Sequence, residues 1–263
     1  MTVCIAAACT EKPGNMAIIL CTDWRVGGSI GSAETRHKQL HLSKGWFCLT
    51  AGNATEINAV VRILRIHFDN ENAIDETNIV KTVRAALNER KAELANEYTQ
   101  GRYALSYSDF LLFGKEKLPA DIFHHAVEAI AKLSIRVELI IAGFVDGLPI
   151  MLEADEWCGV AVKDEFAVVG EGTLLATAAL LQRGHWDIRS LGKAAYCVFE
   201  AKKYAERVSS VGKSTLMSVL RPNGTRKSIQ HVGYDYLNKK FDELGPQPLP
   251  EPDESFDETY LYE

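Results

Sequence analysis

The sequence predicts an α+β fold: a four-layer αββα sandwich of two packed antiparallel sheets with helices outside. Three observations carry the prediction. Apolar patterns run strands, helices, strands, helices, strands, so β and α do not alternate as a parallel sheet would require. The opening strands are apolar on both faces, which suits a sheet covered on both sides. The chain has 263 residues, 47% of them apolar and 24% charged, enough for one large core.

Taken in order, Thr2 to Cys9 and Met16 to Asp23 read as a hairpin closed by "TEKPGN", whose Pro-Gly is a turn signal. A second pair, Lys38 to Leu42 and Trp46 to Ala51, is joined by "SKG". After Gly52 the period changes to helical, with Ala54, Ile57, Val61, Leu64 and Phe68 on one face and Asn53 placed as N-cap. A second helix is expected from Thr77 through "VKTVRAALNERKAELANEY". Between Gly101 and Leu133, "SDFLLFG" fits strand or helix and "DIFHHAVEAIAKL" is amphipathic. "RVELIIAGF", "LPIMLEAD" and "EFAVVGEG" read as strands, "TLLATAALLQRG" and "SLGKAAYCVFEAKKYAERV" as helices, and "STLMSVL" and "KSIQHV" as strands before a short helix from Tyr234 to Leu244. One unit over residues 1–244 is expected, without internal repeats. The Pro-rich acidic stretch 245–263 cannot bury a core and reads as a disordered tail.

The formal net charge is −6, and the tail alone holds six acidic residues and no Lys or Arg, leaving the rest near neutrality. That argues against a nucleic-acid surface. No apolar run approaches the roughly 20 residues of a membrane span, and Thr2 to Cys9 runs straight into a turn rather than forming a secretory signal. Cys4, Cys9, Cys21, Cys48, Cys158 and Cys197 lie mostly in apolar runs without CxxC spacing. They read as buried, reduced thiols of a cytoplasmic protein, with no metal site and no cofactor expected.

Two motifs lead elsewhere and fail. "SVGKST" ends like a phosphate loop, but the required first glycine falls at Arg207 and a helix precedes it where a strand is needed. "HHAVE" (His124, His125, Glu128) lacks the HExxH spacing that sets two imidazoles on one helix face.

The constellation that remains lies in the first fifty residues. Once Met1 is excised, which the small Thr2 side chain permits, Thr2 carries a hydroxyl and a free α-amine that can act as its own general base. The reference pKa of such an amine is about 7.7 to 8.0, so a useful fraction is neutral near pH 7. Asp23 puts a carboxylate at the end of an apolar strand, where a charge needs a cation. Alternation sets Lys38 on one face with Leu40 and Leu42, and His37, Gln39 and His41 on the other, so Lys38 is expected to point inward to Asp23. The pair fits either a structural ion pair or an activating pair for the amine. Gly52, between a strand and a helix, can turn its N–H into a cleft at a positive helix end, where an oxyanion is stabilised.

"TVCIAAAC", "LCTDWRVGGS", the inward Lys38 and "LTAGNAT", in that order and with fourteen residues from Lys38 to Gly52, resemble the proteasome-type N-terminal-nucleophile hydrolases over Thr2 to Val232. "ETRHKQLHL", "LTAGNAT" and "SSVGKSTLMSVL" are most similar to the bacterial ancestral-β-subunit (Anbu) branch. The resemblance implies Thr2 as nucleophile and amine base, Lys38 and Asp23 as its activating pair, and the Gly52 N–H in an oxyanion hole. It also implies Val26 and Thr50 in the pocket for the residue before the scissile bond. At two positions the chain departs from the standard peptidases: Glu171 in "GEG" replaces a serine, and Val208, four residues before Gly212, replaces an aspartate that Ser210 substitutes only in part.

The expected function is that of a self-compartmentalising threonine amidohydrolase, a peptidase working through an acyl-enzyme on extended peptides. The alternative is a proteasome-like ring subunit with a structural or regulatory role and little catalysis; a third keeps the chemistry but takes a small amide. Identical subunits are expected to assemble in rings or a helical stack through apolar positions in "ATAALL" and "AAYCVF", with a partner ATPase left open.

Overall fold

Two antiparallel sheets stacked face to face, each backed by helices, make up the computed structural model. It describes residues 2–28, 31–34, 38–43, 45–70, 75–185 and 187–246, with only the backbone at 26–28, 31–34 and 76. Strands β1 (Cys4–Lys12) and β2 (Asn15–Asp23) form the expected hairpin, turning at Gly14 with φ +82°. A ribbon of β3 (Arg25–Gly28) and β4 (Gly31–Glu34) follows, which the sequence patterns did not reveal. Next come β5 (Gln39–His41), β6 (Phe47–Gly52), α1 (Ala54–Asn70), α2 (Glu76–Tyr103), α3 (Tyr107–Lys117) and α4 (Ala120–Ala131). Then β7 (Val137–Val145), β8 (Leu148–Ala154), β9 (Val160–Lys163), β10 (Phe166–Val169), α5 (Thr173–Gln182), β11 (Arg189–Ser190) and α6 (Leu191–Ala205) follow. The last are β12 (Thr215–Leu220), β13 (Arg226–Ser228) and α7 (His231–Leu244).

The first sheet runs β10-β1-β2-β12-β13 with β11 beside β1, and the second runs β5-β6-β7-β8-β9. Strand alternation explains why Cys4 to Cys9 and Met16 to Cys21 are apolar throughout. Cys4, Ala6 and Ala8 with Ile18 and Leu20 face the other sheet, meeting Phe47, Leu49, Ile140 and Met151. Val3, Ile5, Ala7 and Cys9 with Ile19 and Cys21 face α5 and α6 instead, against Leu180, Val198 and Phe199. On the second sheet Cys48, Leu139 and Ile141 face α1 and α2. The six cysteines are buried free thiols, and burial pushes those of Cys9 and Cys21 up to about 12.

Several local readings are settled by side-chain chemistry. Asn53 caps α1 as expected, its Oδ1 accepting from Thr55 N at 2.9 Å and Glu56 N at 3.2 Å. "SDFLLFG" is helical because Ser106 caps it, accepting from Asp109 N at 3.0 Å. The Asp146-Gly147 turn between β7 and β8 has φ of +50° and +80°, the left-handed pair of a tight hairpin.

On the free edge of β10, Val168 N donates to Glu153 Oε1 and Gly170 N to Glu138 Oε2, both at 2.7 Å. Cys197, Val198 and Phe199 of "AAYCVF" are used by the chain's own core, whereas Leu174 and Leu181 of α5 remain 80% and 45% exposed. Among the described residues no helix is long and apolar enough to cross a membrane. Residues 247–263, most of the expected tail, lie outside the described residues.

Candidate active site

The hairpin register brings Thr2 and Asp23 together. Cys4 pairs with Thr22, and Asp23 N donates to Val3 O at 3.4 Å, so Asp23 closes the strand end at which Thr2 enters. Its carboxylate is fully buried and collects five donors. Oδ1 accepts from Val3 N at 3.1 Å, from Lys38 Nζ at 2.8 Å and from the Thr2 hydroxyl; Oδ2 accepts from Gly212 N at 2.9 Å and Arg25 N at 3.2 Å. A buried charge is tolerable only with such pairing.

Lys38 comes from the other sheet and is 5% exposed. Its ammonium also donates to Thr2 Oγ1, so lysine, carboxylate and hydroxyl form one closed triangle. Its backbone is anchored where Thr50 N donates to Lys38 O at 3.1 Å.

Gln39, expected on the face opposite Lys38 and the leucines, is equally buried. It crosses between the sheets, donating to Leu216 O at 3.0 Å and Leu20 O at 3.3 Å and accepting from Ser218 Oγ at 2.7 Å. Lys38 precedes β5, so strand alternation does not govern it: its side chain and that of Gln39 both reach the first sheet, whereas Leu40 and Leu42 pack in the core beneath α1 and α2. His37 lies outside the described residues.

A cavity of about 200 Å³ opens beside Thr2, lined among others by Gly52, Arg136, Glu138, Glu156 and Glu171. Gly52 has φ +114°, and a Cβ there would fall 2.3 Å from Arg136 O, so geometry demands glycine. Thr50 N points to Lys38 and Asn53 N to Arg136 O, so alternation turns the Gly52 N–H away from β7, at the positive end of α1. Thr50 is 1% exposed, its Oγ1 has no hydrogen-bond partner among the described residues, and it does not line this cavity. The side chain of Val26 lies outside the described residues.

The segment Gly170-Glu171-Gly172 wraps the Thr2 carbonyl. Gly172 N donates to Thr2 O at 3.3 Å, and a Cβ on Gly170 (φ +98°) would sit 2.5 Å from that oxygen. Glu171 accepts from the Ser210 hydroxyl, while Val208 packs on the core behind.

Lys202 is a residue the sequence reading missed. It is fully buried, donating to Lys213 O at 2.7 Å and Glu206 Oε1 at 2.5 Å, and it braces the loop that carries Gly212 to Asp23. Burial pulls its ammonium below the ordinary lysine range, opposed by Glu206. The signal was present: Lys202 shares a helix face with the buried Ala194, Val198 and Ala205.

No family model matches the sequence, and no curated protein matches it. Among solved structures the arrangement is that of the Anbu fold, two sheets with helices outside. The chain is similar to an Anbu (Gly-1) mutant from Hyphomicrobium sp. strain MC1, with 17% identity over 93% of this chain and 96% of that one, at a TM-score of 0.61.

Proposed function

We propose that the chain is a proteasome-like N-terminal threonine hydrolase that cleaves amide bonds of peptides, assembled from identical subunits, with residues 1–244 as its single unit. The observation that carries the reading is the closed triangle of Thr2 hydroxyl, Lys38 ammonium and Asp23 carboxylate at the mouth of a cavity. Excision of Met1 frees the Thr2 amine. As Oγ attacks the carbonyl carbon of the substrate amide, the hydroxyl proton passes to that amine, and Lys38 stabilises the oxygen from which it leaves. The Gly52 N–H faces the oxyanion. The ammonium then protonates the leaving nitrogen, giving an acyl-enzyme that water hydrolyses. The exposed Leu174 and Leu181 of α5 support a subunit contact, and the buried free thiols are consistent with a cytoplasmic setting.

The test is mass spectrometry of the purified protein before and after a β-lactone. Loss of Met1 and one adduct on the Thr2 peptide are expected. A retained Met1 would leave the structural ring-subunit reading in its place.

A further inference from the structure

We propose that the Glu171 carboxylate, oriented by Ser210, receives the α-ammonium of Met1-free Thr2 and holds that amine beside the Thr2 hydroxyl. The proposal rests on the reading of Thr2 just given and adds the group that positions its base. Lys38 and Asp23 both engage the hydroxyl, so neither is free to fix the amine on the other side. The charged groups facing that side line the cavity: Arg136, Glu138, Glu156 and Glu171. Glu138 Oε2 is taken by Gly170 N at 2.7 Å and Glu156 Oε2 by Ser134 Oγ at 3.0 Å.

Glu171 differs from these two in its setting. Both of its chain neighbours touch Thr2: Gly172 N donates to Thr2 O, and Gly170 packs so close that a Cβ would clash with it. Its side chain, like that of Glu156, is held by a serine hydroxyl. One oxygen is oriented by Ser210, and a carboxylate keeps further acceptor sites for an ammonium. Ser210 lies two residues before Gly212, which donates to Asp23, so one loop orients the carboxylates on both sides of Thr2.

In the acylation step the hydroxyl proton moves to the amine, Oγ bonds to carbon, and the carbonyl oxygen takes the electron pair. Glu171 accepts a hydrogen bond from the ammonium until the ammonium's proton passes to the leaving nitrogen.

A carboxylate beside an amine favours the charged form, so Glu171 raises the amine pKa while Lys38 opposes it. Glu171→Gln keeps the shape and removes the charge. In Met1-free protein, competitive acetylation with acetic anhydride across pH, read on the Thr2 peptide, reports the amine titration without catalysis. It should fall by about one pH unit in Glu171→Gln, and by less in Ser210→Ala. β-Lactone inactivation should follow, Glu171→Gln reacting faster than wild type at low pH and slower on the plateau. An amine titration unchanged in Glu171→Gln overturns the proposal. A shifted titration in a protein whose Thr2 never takes the lactone keeps Glu171 in this role and removes the nucleophile assignment instead. Retention of Met1 in the purified protein overturns both.

Discussion

Lys38 Nζ lies 2.8 Å from Asp23 Oδ1 across the gap between the two sheets, with 7% of the lysine side chain and none of the aspartate reaching solvent. Removing one partner strands the other. Lys38→Ala should abolish lactone labelling and cost about 3 kcal/mol, the low end for a broken buried pair, because three backbone N–H groups still serve Asp23. Chemical denaturation measures the cost, and an unchanged midpoint with full labelling would count against the pair.

Thr2→Ala should fold and assemble like wild type, since Asp23 keeps its lysine and its backbone donors, yet take no lactone. Thr2→Ser retains hydroxyl and amine and should keep much of the reactivity. Equal labelling of wild type and Thr2→Ala would place the nucleophile elsewhere.

Gln39→Leu strips partners from Leu20 O, Leu216 O and Ser218 Oγ in the gap beside Lys38. A loss of about 2 kcal/mol or more is expected, together with slower labelling at Thr2 as the segment that carries Lys38 loses its tie to the first sheet. If stability fell while the labelling rate at saturating lactone stayed the same, Gln39 would be a structural tie alone.

His185 is fully buried, and neither ring nitrogen has a hydrogen-bond partner among the described residues. Burial, helped by Arg189, holds its pKa below the ordinary 6.5. The unfolded chain therefore takes up the proton first as pH falls below about 6.5, and stability drops from there down to the folded value. Melting temperatures from pH 7 to pH 5 should fall more steeply for wild type than for His185→Leu; parallel profiles would refute this.

Truncation after Leu244 should leave assembly and labelling unchanged, because the Leu244 oxygen that Arg183 holds at 2.6 Å is retained. Leu174→Asp with Leu181→Asp should instead release smaller species in sedimentation velocity, since both side chains are exposed on α5. Dissociation on truncation alone would make the tail an assembly element.

The layers were legible because Cys4 to Cys9 of β1 and Met16 to Cys21 of β2 are apolar at every position, and this holds only when each face meets a core. Asp23 was legible as a carboxylate ending such a strand. Lys38 was placed correctly for a reason that did not hold, since its neighbour Gln39 is just as buried. The β3–β4 ribbon was not legible, because "VGGSIGSAE" has only two β-branched residues, Val26 and Ile30, among glycines and small polar residues. The "GEG" segment, Ser210 and Gly212 were marked in the sequence only through the family resemblance, because their convergence on Thr2 and Asp23 depends on long-range packing that no local period records.

The two carboxylates on the free edge of β10 bear on solubility. An open strand edge invites another chain to zip on, and the outward N–H groups of Val168 and Gly170 are the donors such a chain would use. Glu153 and Glu138 already occupy them from the second sheet. An incoming strand would have to displace two acceptors and face their negative charge. Growth into a continuous cross-β ribbon is therefore opposed along this edge.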